Sequence, residues 1–411
     1  MNLPFFSEYD DSLLRQVTTR DYLGLQTVWS SVARMLEPNL SGQVRNVQGI
    51  KAIGLMYYLI NQPAAREIEK PRPFFKFIEG LFEYYLVHFL QVEPLYGKRI
   101  ITQKDTVLSF TAGTVITGLT QYYRGSCHRA GLIASGQLCA EWHALYQRLL
   151  DQDDCKVMID CFIDIVNQKE KTFTPAQLFK IPAFVQIFVA TFKNNKAAFS
   201  SYFYDVFFAS EQMEFYAQAC LNNNRKRDGE NTNKLQRIYA ELSGNKDFHQ
   251  LNNLKRYILC EPFLCFLNDT FHCLMNIGTV SGFAKVTALD EPIVKQKAQN
   301  FLSLKNNEPD NANHEQFSQL FALAELAEEG QWKTFAGKLI MDYHSNVMLK
   351  RKLDPLATIE GDKVVCVQDI AREPEEKLFQ RIKSNSVMSN DYYTHATATI
   401  YRQLKEQKGG L

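Results

Sequence analysis

Apolar residues recur along most of this chain at the i, i+3, i+4, i+7 spacing of helices that bury one face. Phe74, Phe77, Ile78, Leu81, Phe82, Tyr85 and Phe89 form one such stripe; Phe199, Tyr202, Phe203, Val206 and Phe207 form another. A third stripe, Phe317, Leu320, Phe321 and Ala324, is led by Asn313 and Gln316 at capping-box spacing. Gly330 closes it, and Trp332, Phe335, Leu339 and Tyr343 open the next helix at once, which predicts an αα-hairpin with a left-handed glycine cap. Strand signals are sparse. The clearest is Leu356–Glu360, then Gly361-Asp362, then Lys363–Val367, two β-competent runs about a Gly-Asp turn. Helical stretches at roughly 374–384 and 390–407 follow it.

The pattern therefore predicts a mainly α fold, a multi-helix orthogonal bundle with a small C-terminal β-hairpin. Helix, hairpin and helix in that order fit either a winged-helix-like module or a β-ribbon that finishes the fold. Three polar stretches read as boundaries: 61–73 with its three prolines, the run 222–231, and 306–313 with Pro309. They divide the chain into an N-terminal helical domain (1–225), a middle helical region (226–310) and a C-terminal helical module with the hairpin (311–411). No internal repeat or sustained heptad points to a solenoid or a long coiled coil.

Composition narrows the class. Apolar residues make up 45% of 411 positions, enough for a large core and the reverse of a disordered chain. The 29 Phe and 19 Tyr fit dense helix packing better than an aromatic cage. A net charge of +1 argues against a surface that wraps nucleic acid throughout, while leaving room for a local basic patch. Nine scattered cysteines, mostly in apolar helical contexts, read as thiols in a reducing compartment. The start of the sequence lacks a signal-peptide pattern, and no run approaches the roughly 20 apolar residues of a membrane span. A cytoplasmic protein without membrane contact is the expectation.

Candidate chemistry is densest in Tyr122-Tyr123-Arg124-Gly125-Ser126-Cys127-His128-Arg129-Ala130-Gly131, read as lying between two helical stretches. Backbone amides at a helix start, with Arg124, His128 and Arg129 nearby, would hold a phosphate or carboxylate. The competing reading is an ordinary inter-helix turn with solvated arginines. Cys127, His128, Cys139 and His143 can be written as a zinc set, and Cys260, Cys265, His272 and Cys273 as a second. Their spacings are not those of paired structural ligands, so core thiols explain them better and no metal or cofactor is expected. Glu141 and His143, two apart, lie on different helix faces. The stretch from Gly330 to Lys338 has the wrong spacing for a phosphate loop, with Leu339 where Ser or Thr belongs. Asp354, Asp362 and Lys363 hint at a metal-dependent nuclease core, which needs a larger sheet than the sequence offers. His344 reads as a satisfied surface or core histidine, beside a basic set of Lys350, Arg351, Lys352, Lys363 and Arg381 that could meet phosphate.

Asp21–Leu25, Trp29, Ala33, Pro38, Asn39-Leu40, the segment 46–60, the aromatic helix 74–90, Tyr96–Ile100, and Leu339, His344 and Lys352 through Val364 carry a distant resemblance. Together they resemble uncharacterised helical accessory proteins of bacterial multi-gene anti-phage or restriction-type loci. The resemblance covers about the first hundred and last eighty residues and brings no catalytic motif. It implies one non-catalytic subunit of a defence or nucleic-acid-processing complex, working through protein partners. The alternatives are a DNA-binding module built on the C-terminal helix and hairpin, and an enzyme or anion sensor using 122–131.

Overall fold

The computed structural model describes residues 22–42, 44–68, 71–88, 90–92, 101–104, 107–110, 118–167, 172–173, 188–194, 196–224, 234–288, 291–305, 314–367, 374–383 and 393–408. Phe89, the segment 96–100, most of the run 222–231 and the run 306–313, with Asn313 of the expected capping box, lie outside them. The protein is mainly helical, as the periodicity predicts. Its helices are α1 (Leu25–Ala33), α2 (Val47–Ile60), α3 (Pro71–His88), α4 (Leu119–Arg129), α5 (Ala140–Leu149), α6 (Gln152–Asn167), α7 (Lys196–Phe207) and α8 (Glu211–Asn224). There follow α9 (Lys234–Ser243), α10 (Leu251–Ile277), α11 (Val280–Ala288), α12 (Glu291–Leu302), α13 (His314–Glu328), α14 (Trp332–Gly337), α15 (Ser345–Lys350), α16 (Glu375–Lys383) and α17 (Tyr393–Lys408). Two π-helical turns, Ala190–Asn194 and Lys338–His344, interrupt the helical register.

The chain groups differently from the three consecutive stretches expected from its sequence. One compact unit draws on 37–226 and 392–411, the other on 14–36 and 227–391. Linear composition cannot show this, because each unit is closed by a segment distant in sequence.

In the first unit, α2 is buried on nearly every side from Val47 to Leu59. Its N-terminus is capped by Asn46, whose side chain accepts from the Gln48 N–H at 2.9 Å. Gly54 lets the ring of Trp142 lie directly against the helix, where any side chain would overlap it. The predicted stripe of α3 holds: Phe74, Phe77, Ile78, Leu81, Phe82 and Tyr85 are all buried. The last helix, α17, packs against α7 and α8 through Ala396, Ala398, Ile400, Tyr401 and Leu404. Polar ties fix it: Gln403 Oε1 accepts from the Val47 N–H at 2.9 Å, and Ser200 donates to Gln407 Oε1 at 2.7 Å. A small antiparallel sheet that the sequence pattern did not announce, β1 (Ile101–Lys104), β2 (Val107–Phe110) and β5 (Thr172–Phe173), runs in the order β1-β2-β5. A two-residue pair, β3 (Ile133–Ala134) with β4 (Gln137–Leu138), joins α4 to α5.

The second unit is built around α10, which packs against α1, α9, α11, α12 and α16. A helix surrounded in this way is apolar on several faces, so it carries little amphipathic signal. Its C-terminus turns at Gly278 (φ 71°). The predicted αα-hairpin is present. Gly330 (φ 72°) ends α13 in a Schellman arrangement, with Gln331 N–H to Leu326 O at 2.9 Å and Gly330 N–H to Ala327 O at 3.3 Å.

The predicted β-hairpin is also present, as β6 (Ala357–Glu360) and β7 (Lys363–Cys366) in the register Glu360↔Lys363 to Ala357↔Cys366. Gly361 supplies the positive φ of 65° at the first turn position. Both edges are covered. On β7, Val364 N–H donates to Gly278 O and Val280 N–H to Asp362 O, each at 2.9 Å. On β6, the Ile359 N–H is directed at Met341 Sδ, 3.2 Å away. The tip is tied to α11 as well: Asp362 Oδ1 accepts from the Ser281 N–H at 2.9 Å and the Ser281 hydroxyl at 2.7 Å, capping that helix.

Candidate functional site

The segment 122–131 does not lie between two helices. It forms the body and C-terminal end of α4, because the helix begins at Leu119 and its apolar positions Leu119, Tyr123 and Cys127 are buried on one face. A helix offers free N–H groups at its start and free carbonyls at its end, so this segment presents carbonyls where the sequence suggested amides. The amide end is already filled. Leu119 N–H donates to Glu83 Oε1 at 2.7 Å and Thr120 N–H to Glu79 Oε1 at 2.6 Å, from two buried carboxylates of α3. At the other end, Leu132 N–H bonds Cys127 O at 2.8 Å and Gly131 N–H bonds His128 O at 3.1 Å, another Schellman closure.

The three basic residues of this segment do different things. Arg129 donates through Nε to Pro38 O at 3.2 Å and through Nη2 to Leu40 O at 3.3 Å and Ser126 Oγ at 3.2 Å. That guanidinium pins the 38–40 turn to α4. Arg124 is half-buried, and its charge favours ionisation of the buried Tyr57, whose phenol burial nevertheless pushes well above the usual range. His128 is exposed, one turn beyond Arg124. Cys127 between them is fully buried and pushed up to about 12 by burial, an inert thiol.

Neither proposed zinc set assembles. Among the described residues, no group of three or more His, Cys, Asp or Glu is placed to hold a metal ion. Cys139 precedes α5, half-buried, with its Sγ 3.0 Å from the Tyr202 hydroxyl. The ring of His143 instead packs 5.1 Å from that of Tyr58. Cys260, Cys265 and Cys273 are buried along α10, while His272 meets the ring of Tyr22 at 6.1 Å. None of the nine cysteines, all among the described residues, is in a disulfide.

The C-terminal basic residues sit on separate elements. Lys350 and Lys352 are exposed beside the C-terminus of α15, the end where a helix favours positive charge. Lys350 pairs with Glu315 at 2.8 Å, an exposed contact of small worth. Arg351 is half-buried, next to Gly24. Lys363 is exposed at the hairpin tip, opposite Glu360. Arg381 falls in α16, but its side chain is outside the described residues. The sequence reading missed two further lysines near the tip. The Ser281 hydroxyl holds the Asp362 carboxyl below the usual range, and the charges of Lys333 and Lys285 reinforce it.

Two buried titratable groups complete the picture. Lys297 of α12 donates from Nζ to Ile382 O, 2.8 Å away at the C-terminal end of α16. Burial lowers its pKa to about 8, with Cys265 and Asp269 acting in the opposite direction. His344 closes the second π-helical turn, with Nδ1 2.8 Å from Tyr22 O and Nε2 accepting the Leu356 N–H at 2.9 Å. The chain matches no protein family, no curated protein and no solved structure.

Proposed function

We propose that this chain is a non-catalytic helical subunit of a bacterial defence or nucleic-acid-processing assembly, acting through contact with a protein partner. The observation that carries the proposal is the exposure of three large apolar side chains among the C-terminal helices and hairpin. Leu349 is 74% exposed, Val367 64% and Met341 45%. Each lies on or beside α15 and the hairpin, in a unit whose other large apolar side chains are mostly inside. Exposed apolar side chains of this size gain from being covered by a partner. Two of the residues singled out for chemistry, Arg129 and Asp362, and three buried charged residues support the reading in a second way. Arg129, Glu79, Glu83, Asp362 and Lys297 are engaged in holding the fold together. The defence setting itself rests on the resemblance.

The test is a tagged pull-down from native cells with and without nuclease, for wild type and Leu349→Asp. Protein partners that survive nuclease and are lost from Leu349→Asp support the proposal. An inert monomer, or capture indifferent to Leu349→Asp, overturns it.

A second reading is a DNA-binding module, favoured by the lysines near the hairpin tip, Lys285, Lys333 and Lys363. Binding driven by phosphate weakens steeply with salt. Charge reversal at Lys285 and Lys333 should then reduce both affinity and its salt slope; a salt-independent isotherm counts against the idea.

A further inference from the structure

We propose that His344 is a proton-operated latch, which in its neutral form holds the N-terminal strap (22–36) and the foot of the β-hairpin to the second π-helical turn, and releases the hairpin foot when protonated.

The bonding fixes the state of the ring. Leu356 N–H can only donate, so the Nε2 it meets at 2.9 Å carries a lone pair and no hydrogen. The one hydrogen of the neutral imidazole is then on Nδ1, donated to Tyr22 O at 2.8 Å. A single side chain thus joins backbone at positions 22 and 356, 334 residues apart by subtraction, to the turn that carries it. The ring sits fully buried at the end of the π-helical turn Lys338–His344. A second bond set acts in parallel on the strap. Gln316 Nε2 donates to Gly24 O at 3.2 Å and to the Tyr343 hydroxyl at 2.9 Å. Gly24 has φ 64° and Val347 packs beside it, so the strap has one narrow seat.

A proton on Nε2 turns the acceptor into a donor, and two donors then face each other at the hairpin foot. The Nδ1 bond to Tyr22 O survives, so the hairpin foot lets go first. The surroundings add to the effect. The ring packs 4.6 Å from that of Phe271 on α10, an apolar neighbour. Arg351, the C-cap of α15, is the charged group that bears on it, and burial and Arg351 together lower its pKa while the Tyr22 bond raises it. His272 of α10 lies against Tyr22, Tyr343 precedes the ring on its own turn, and Asp342 and Asp354 nearby in sequence are exposed. With the folded pKa below that of a solvated histidine, the bond contributes fully above the solvated value and is lost as pH falls through the folded pKa.

Hydrogen exchange of the full chain, corrected for intrinsic rates and titrated from about pH 7.5 to about pH 4.5, tests the latch. The amides of Leu356 and Ala357 are expected to open about tenfold more at the acid end, before those of α10 do, as the loss of one buried bond implies. His344→Gln, which cannot titrate, should give a flat profile. Arg351→Gln should move the wild-type midpoint to higher pH and serves if His344→Gln does not fold. Opening of Leu356 no earlier than α10 overturns the proposal. So does an unchanged pH profile in His344→Gln, or an unmoved midpoint in Arg351→Gln.

Discussion

Lys297 shows how a buried charge can be read as a stability statement. Its ammonium sits on the last turn of α16, where the Ile382 carbonyl accepts it, but burial holds its pKa near 8 against 10.5 for a solvated lysine. The unfolded chain therefore binds one more proton than the folded chain between those values, so stability rises with pH across that window. The contribution is complete above the unfolded value and lost as pH falls through about 8. Urea unfolding of wild type and Lys297→Met should show their difference moving in favour of wild type by up to about 3 kcal/mol between pH 8 and pH 10.5. A constant difference over that range would sink the assignment. Gly54 makes a steric case with no charge in it. A methyl there overlaps the Trp142 ring, which is itself fully buried, so Gly54→Ala should cost roughly 1–3 kcal/mol in thermal unfolding. Neither position carries a sequence signature, because a lysine in an amphipathic helix and a glycine in an apolar one look ordinary until their neighbours are known.

The helices illustrate which signals survive in one dimension. The stripe of α3 was legible because each buried position recurs at helical spacing, and the C-terminal hairpin because a Gly-Asp turn sat between two β-branched runs. The segment 122–131 was misplaced because its glycines, Gly125 and Gly131, suggested a loop. Gly125 is an exposed helix position, and only Gly131, at φ 69°, acts as a terminator. The start of α4 was invisible for a related reason: its caps come from α3, not from a neighbouring Ser, Thr or Asp. This arrangement predicts that Glu83→Ala, which strips the buried Leu119 N–H of its acceptor, costs about 1–3 kcal/mol. Protection of the first amides of α4 should fall with it in hydrogen exchange, while α10 is unaffected. Asp362→Ala should likewise expose the first turn of α11, and acid should mimic the mutation. The carboxyl is held below its usual range, so its cap is present above about pH 4 and fades as pH falls through the folded value.

How the chain closes on itself was the least legible property, and it gives the most direct test. The helix α17 follows the hairpin and α16 in sequence, yet it completes the unit built from 37–226. Its inward face is unusual: Thr394, Thr397 and Thr399 are buried together with Ala396, Ala398 and Ile400, so no clean stripe marks it. A composition scan sees a polar C-terminal helix and assigns it to whatever precedes it. The contacts say otherwise. Tyr401 reaches Glu214 and Gln218 of α8, Lys405 lies 4.6 Å over the Tyr401 ring, and Gln403 receives the Val47 N–H at the start of α2. Removing 392–411 would therefore uncover the buried faces of α7 and α8 and leave the Val47 amide without its acceptor. Truncation at 391 should make the 37–226 unit susceptible to limited proteolysis and collapse its exchange protection, while α10, α12 and α13 keep theirs. If α17 were only a tail of the hairpin module, the same truncation would loosen α16 and the hairpin and spare α2. The proteolytic fragments separate these outcomes, since survival of 227–391 together with the 22–36 strap, with loss of 37–226, follows only from closure by a segment distant in sequence.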